Sequence, residues 1–261
     1  MNAIEIYKRL PRTNCGRCGP GKCMPLAVAI AAGTGTAGDC PELAEETRRE
    51  LAAAAGGGDW RASFLVELRR EVAAIPLAEV APGLGGEMRG DALRVRCLGR
   101  DYTVGADGEV ADAEGKAPSP WLQILLLHYV RLRGDAVPGG TWVSFGQLRG
   151  GMVKIPAFTR DCEEPLRELL ERDPEAVARA VARLEGTPDA GQPAPSAWRV
   201  MALPRIPVLI LFWPADEEFP AKAKILLDAT ADRFLDLETL LFLVEGLVRN
   251  IGAGPDAPLH E

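Results

Sequence analysis

Four cysteines in the first forty residues constrain this chain more than any other feature. Cys15, Cys18, Cys23 and Cys40 are spaced C-x2-C-x4-C-x16-C, and Pro41 follows the last of them. Four thiolates are the ligand set of a cubane [4Fe–4S] cluster, one per iron. The first three can wrap a cluster from a single loop. The fourth must return from a distance, and sixteen residues suffice for a short helix and a turn back. Gly16, Gly19 and Gly21 lie among the ligands, where positive φ and close backbone approach are useful. Backbone N–H groups can then point at cluster sulfurs and tune the potential.

The flanks fit the same picture. Residues 24–32 (MPLAVAIAA) are apolar and alanine-rich and predict a short helix over the cluster. Pro41 suits the first turn of a new helix, which is expected to start at Glu42 and Leu43 and end about Leu51. The competing reading is zinc, but a four-cysteine zinc site usually shows two C-x2-C pairs, and only one pair is present. A disulfide framework fits less well, because residues 1–10 (MNAIEIYKRL) have no signal-peptide core and nothing else points to a secreted domain.

The run Leu10-Pro11, Thr13-Asn14-Cys15-Gly16, Cys18-Gly19, Cys23 and Cys40-Pro41 resembles the small cluster domain of the corrinoid iron–sulfur protein large subunit. It also resembles that of the B subunit of Rnf-type electron-transport complexes. The continuation Cys40-Pro41-Glu42-Leu43 is more similar to the corrinoid protein. The resemblance covers about the first fifth of the chain. It implies the cofactor strongly and the reaction weakly.

Composition bounds the rest. The chain has 261 residues, 47% apolar and 26% charged, enough for a small domain and a larger one. The net charge of −7 argues against nucleic-acid binding through a basic field. Through Cys40, however, basic residues such as Lys8, Arg12, Arg17 and Lys22 outnumber the acids Glu5 and Asp39. A basic cluster module of this kind suits an acidic redox partner, and a solvated surface explains it too. No segment is long and apolar enough to span a membrane. The best run, 121–130, is short and contains His128. The expected compartment is the cytoplasm, where a reduced cluster and free thiols survive.

The predicted architecture is α+β: a small helical cluster module (1–55), then a larger mixed α+β domain (59–251) and a mobile tail (252–261). Gly56-Gly57-Gly58 is the expected joint. Asp59 can cap a helix to about Ala74 with Phe64, Leu65, Leu68 and Val72 on one face. Residues 92–98 and 101–104 alternate as strands, and Asp107-Gly108 is a hairpin signal. Pro118-Ser119-Pro120 opens a helix to Arg133, and residues 141–145 read as a strand. Helices follow over 163–171 and 175–184, split by Asp173-Pro174. After a Pro/Gly-rich loop over 186–196, residues 206–213 (IPVLILFW) predict a central strand buried on both faces, with 224–228 beside it. Asp236 opens a last helix to about Asn250.

Residues 118–122 (PSPWL), 142–145 (WVSF), 155–158 (IPAF) and 213–221 (WPADEEFPA) carry a second resemblance. They are similar to domain-of-unknown-function family 3786, over most of residues 60–250. That family is found in anaerobes, often fused to this cluster module. It implies a relative and no reaction.

Candidate chemistry in the larger domain is sparse. Asp216-Glu217-Glu218 follows the apolar strand, where pocket mouths often lie, and could form a site with Lys222, Lys224 and Asp228; a solvated turn is the plainer reading. His128 in an apolar helix is more often a hydrogen-bonded core residue than a ligand. The second histidine is His260, so a multi-histidine site is excluded. Cys97 reads as a packed small hydrophobe. Cys162, near a predicted helix start, is placed where a thiolate could be stabilised. Trp121, Trp142 and Trp213 could line a pocket for a flat ligand or pack in the core. No dinucleotide fingerprint or phosphate-binding lysine loop is present.

Three functions are therefore open. The first is single-electron transfer in anaerobic metabolism, to a redox partner of the corrinoid or methyl-transfer kind. The second is a corrinoid- or tetrapyrrole-binding module or enzyme, with the cluster as electron entry and Trp213, Asp216, Glu217, Glu218 and His128 as its pocket. The third is a cluster serving as structural staple or redox sensor.

Overall fold

The computed structural model describes residues 3–31, 34–54 and 60–254. The chain divides into two compact units, Met1–Phe64 and Leu65–Glu261. The expected glycine joint at 56–58 and the Asp59 cap lie outside the described residues.

The first unit is helical. α1 (Ala3–Arg9) packs on α2 (Cys23–Ala31), and α3 (Glu45–Ala54) follows a single 3-10 turn at Ala37–Asp39. On α2, Cys23, Leu26, Ala27 and Ile30 recur at helical spacing and are all buried. They make one apolar stripe that meets Ile6 and Leu10, and Ala37, Leu43 and Leu51 complete the cluster. The helix expected at Glu42 begins instead at Glu45. Leu43 N–H donates to the Cys40 carbonyl at 3.3 Å, so Pro41 and Glu42 are the central residues of a tight turn, a position that suits the fixed φ of proline.

The second unit is α+β. α4 (Trp60–Ala73), which enters this unit at Leu65, buries Leu65, Leu68 and Val72 as expected, while Phe64 is exposed. α5 (Leu77–Leu84) leads into an antiparallel sheet in simple order: β1 (Glu87–Arg89), β2 (Ala92–Cys97), β3 (Arg100–Val104) and β4 (Val110–Asp112). α6 (Pro120–Leu132) is capped by the Ser119 hydroxyl. β5 (Trp142–Ser144) precedes a helical stretch of mixed pitch over 151–163. α8 (Glu164–Arg172) and α9 (Pro174–Arg183) come next, after the single turn α7 (Ile155–Phe158) inside that stretch. Asp173 caps α9 by accepting from Ala176 N–H.

The second sheet holds the larger core. β6 (Thr187–Pro188), β7 (Ser196–Leu203), β8 (Ile206–Trp213) and β9 (Lys222–Asp228) pair antiparallel in the order β5-β9-β8-β7-β6. β8 is therefore central, and seven of its eight residues are buried, as its unbroken apolar run requires. Its even-numbered side chains, Ile206, Val208, Ile210 and Phe212, enter the main core with α6 and α10 (Leu237–Ala253). Leu209 and Leu211 face the other way, with Ala197, Trp142, Trp213 and Leu226. Asp236 caps α10 through Thr239 N–H. That helix runs on to Ala253, so residues 252 and 253 are helical rather than tail.

Candidate metal centre

The three-cysteine loop is shaped by left-handed backbone. Arg12, Asn14, Gly16 and Gly21 have φ of 58°, 49°, 76° and 73°. Gly19, expected to share that role, does not. Asn14 tolerates the conformation better than most residues, and its side chain has a second task. Its Oδ1 accepts the backbone N–H of Cys23 at 3.0 Å. This satisfies a first-turn donor of α2 that the helix itself cannot. Gly21 N–H closes on the Cys18 carbonyl at 2.9 Å, which brings the chain back toward the second cysteine.

Burial of the four thiols is graded. Cys23 and Cys40 are buried within the apolar cluster, Cys18 packs against it half-buried, and Cys15 is exposed. The Cys15 thiol is held below the usual range, first by the Arg17 backbone N–H, then by the Thr13 hydroxyl and the Arg17 guanidinium. Arg17 also pairs with Glu42 at 2.8 Å, so the first ligand loop and the turn after Cys40 are tied across the site.

Cys40 is positioned by its neighbours. Asp39 accepts from Thr36 N–H at 2.8 Å, fixing the 3-10 turn that ends at Cys40. The Arg48 Nη2 donates to the carbonyls of Cys40 and Leu43, at 3.3 and 3.2 Å. Sequence reasoning missed Asn14, Glu42 and Arg48 in these roles. Only Asn14 left a signal, by standing directly before a ligand in a glycine-rich loop.

No disulfide joins any of the six cysteines. Among the described residues, no three His, Cys, Asp or Glu side chains converge on a single-ion position. The donor set fits a four-thiolate group: three of the cysteines belong to or pack against one apolar cluster, and the fourth is exposed on a hydrogen-bonded loop.

The residues singled out in the larger domain do not form one pocket. His128 is buried in α6, with Nδ1 3.3 Å from Asp236 Oδ2 and 3.3 Å from Arg131 Nη2. It joins α6 to the cap of α10. Trp213 lies on the opposite face of the sheet and donates its indole N–H to the Pro193 carbonyl at 3.3 Å. Asp216 accepts from Glu218 and Phe219 N–H groups in an exposed turn, which lowers its pKa, and Glu217 and Glu218 are exposed beside it. Lys224 pairs with buried Glu163 at 2.7 Å. Asp228 is fully buried and accepts from Gly140 and Thr230.

Trp142 shares the outer apolar cluster with Trp213 and has the Arg199 guanidinium 5.4 Å from its ring centroid. Trp121 packs elsewhere, 5.1 Å from Phe242 between ring centroids. Burial pushes Cys97 up to about 12. Cys162, expected to favour a thiolate, is the reverse: burial raises its pKa, and the charges of Glu245, Asp161 and Glu163 add to the effect. A surface groove of about 600 Å³ lies between α8 and α10, lined by Arg160, Leu169, Arg172, Glu245, Val248 and Arg249 among others. Helices distant in sequence build it, so no local motif announced it.

Comparison with known proteins decides the family. A model described as "Domain of unknown function (DUF3786)" matches residues 76–250. The chain belongs to the DUF3786 family. A second model, described as "Putative Fe-S cluster", matches residues 10–42, which contain all four cysteines of the motif. The N-terminal part of this DUF3786 protein is thus an iron–sulfur domain.

The same N-terminal part is similar to curated proteins. The corrinoid/iron-sulfur protein large subunit of Moorella thermoacetica is 40% identical over 55 residues, 21% of this chain and 12% of that protein. The acetyl-CoA decarbonylase/synthase complex subunit gamma of Methanothermobacter thermautotrophicus is 37% identical over 51 residues, 20% of this chain and 11% of its own. That of Methanosarcina acetivorans is 44% identical over 45 residues, 17% and 10% respectively. The chain spans about a tenth of the length of these relatives. No solved structure matches it. No helix among the described residues is long and apolar enough to cross a membrane.

Proposed function

We propose that this chain is a one-electron carrier of anaerobic metabolism, with a single [4Fe–4S] cluster held by Cys15, Cys18, Cys23 and Cys40. The observation that carries the reading is the shared apolar cluster of Cys18, Cys23 and Cys40, with Cys15 on the hydrogen-bonded loop beside it. When bound, the cluster would accept and release one electron. The chain's own residues do the rest. Leu26, Ala27 and Ile30 exclude water from the buried thiols. Asn14 and Arg48 fix the backbone at Cys23 and Cys40.

The client favoured by similarity is corrinoid chemistry, because one relative's name joins corrinoid to iron–sulfur. In this reading the cluster domain (1–55) delivers electrons in the cytoplasm, and the larger domain (59–251) selects the partner. The test is to mix the dithionite-reduced protein, freed of reductant, with an oxidised corrinoid and follow the visible spectra. Transfer of one electron per chain supports the reading. A cluster that is required for folding yet inert to dithionite contradicts it and favours a structural staple.

A further inference from the structure

The graded burial of the four thiols gives the site a front. Cys23 and Cys40 are covered by the apolar cluster, and Cys15 is exposed on the turn from Arg12 to Arg17, every residue of which is exposed. Any group held by all four sulfurs is therefore nearest to solvent on the Cys15 side. Three basic side chains stand on the turns beside it: Arg12, Arg17 and Lys22. Arg17 is committed to Cys15 and Glu42. Arg12 and Lys22, both exposed, have no ion-pair partner among the described residues. The acid Asp39 is already engaged by Thr36.

The rest of the chain has the opposite sign. Up to Cys40 there are five basic residues against two acidic ones, Glu5 and Asp39, and the overall charge is −7, so residues 41–261 carry −10. With the charge of about −2 that four thiolates and an oxidised cubane would add, the first forty residues stay net positive against −10 beyond them, so by net charge an acidic protein is repelled less by this segment than by the rest of the chain. Such a pattern steers encounter and orientation.

We propose that the Arg12–Lys22 turns around Cys15 are the docking edge for an acidic one-electron carrier protein. The inference rests on the cluster reading above and names the face and the charge of its partner. An electron passes from the partner's reduced group to the oxidised cluster, or back, with no bond made or broken. Arg12 and Lys22 are positioning residues, since they hold the partner and do not touch the redox group through bonds.

The experiment uses the full-length, cluster-bearing protein and small charged probes in place of the unidentified partner. The reduced protein is oxidised in stopped flow by the cobalt(III)–EDTA anion and, separately, by the hexaammineruthenium(III) cation, at low and high salt. The same is done with an Arg12→Glu, Lys22→Glu double variant. The expected result is an anion rate that falls with salt, falls about tenfold in the variant at low salt, and a cation rate that moves the opposite way. Power saturation of the reduced cluster's paramagnetic signal, with anionic chromium(III) trisoxalate against cationic chromium(III) hexaammine, should show the same preference at equilibrium.

A reducible cluster whose rates ignore both salt and probe charge would overturn the docking edge and leave the electron-carrier reading standing. That salt comparison on the unsubstituted protein decides the matter even if the double variant fails to fold. Absence of any reducible cluster would instead remove the function reading and this edge with it.

Discussion

Asn14 Oδ1 holds the backbone N–H of Cys23 at 3.0 Å, across nine residues and two other cysteines. One side chain thus closes the loop that carries the first three thiols onto the helix that buries the third. Its replacement by alanine leaves a part-buried donor unsatisfied, which costs about 1 kcal/mol. Asn14→Ala is expected to retain less iron after gel filtration and to lose it at a lower temperature than the parent protein. Equal iron retention would show that the closure is incidental.

The six cysteines should separate cleanly into two classes. Serine at Cys15, Cys18, Cys23 or Cys40 is expected to abolish most bound iron. Alanine at Cys97 or Cys162, both packed in the core of the second unit, should leave iron unchanged and lower the melting temperature only. Iron and sulfide analysis of the six variants checks this. Iron loss in Cys97→Ala, with the fold intact, would count against the assigned ligand set.

Asp236 and His128 predict a pH dependence in the larger unit. The His128 side chain, then the cap to Thr239, hold the Asp236 carboxyl well below its ordinary range. A carboxylate depressed in the folded state adds stability above its unfolded pKa, near about pH 4, and loses it as pH falls further. Asp236→Asn keeps a capping side chain and loses the charge. It should melt lower than the parent at pH 7, by the equivalent of about 1 kcal/mol. The gap should close as pH falls from about 4 toward 2. A gap that stays constant over that range would refute a stabilising Asp236 carboxylate.

Gly134 stands against the Phe234 ring, where an added Cβ would clash with ring carbons. Phe234 is fully buried and packs 6.0 Å from Tyr129 between ring centroids, so it has little room to yield. Gly134→Ala should cost about 1–3 kcal/mol, seen as a lower urea midpoint for the second unit. Iron content should be untouched. An unchanged midpoint would mean that the ring can shift.

What could be read from the sequence follows physical lines. β8 was legible because seven buried residues in a row leave an unmistakable apolar run. The starts of α6, α9 and α10 were legible because Ser119, Asp173 and Asp236 cap them by side chain. β7 was missed: it begins where a Pro/Gly-rich loop was expected to end, and exposed Arg199 and Met201 alternate with its buried residues, so it leaves no unbroken apolar run.

The tight turn at Leu98-Gly99 was hidden for a different reason. Leu98 takes φ of 48°, unusual for a branched aliphatic residue, and is held there by donating to the Ala202 carbonyl at 2.9 Å. That is tertiary structure overriding local preference. At the site, ligand spacing named the cysteines, whereas the Arg48 clamp on Cys40 has no motif. Its role depends on where α3 starts, and the sequence placed that start three residues early.

The central claim is a redox-active cubane on four cysteines. The most direct measurement is an electron paramagnetic resonance spectrum of anaerobically purified protein before and after dithionite, with iron, sulfide and zinc counted on the same sample. About four irons per chain and a near-axial signal that appears on reduction are expected. Stoichiometric zinc with no signal after reduction would contradict it.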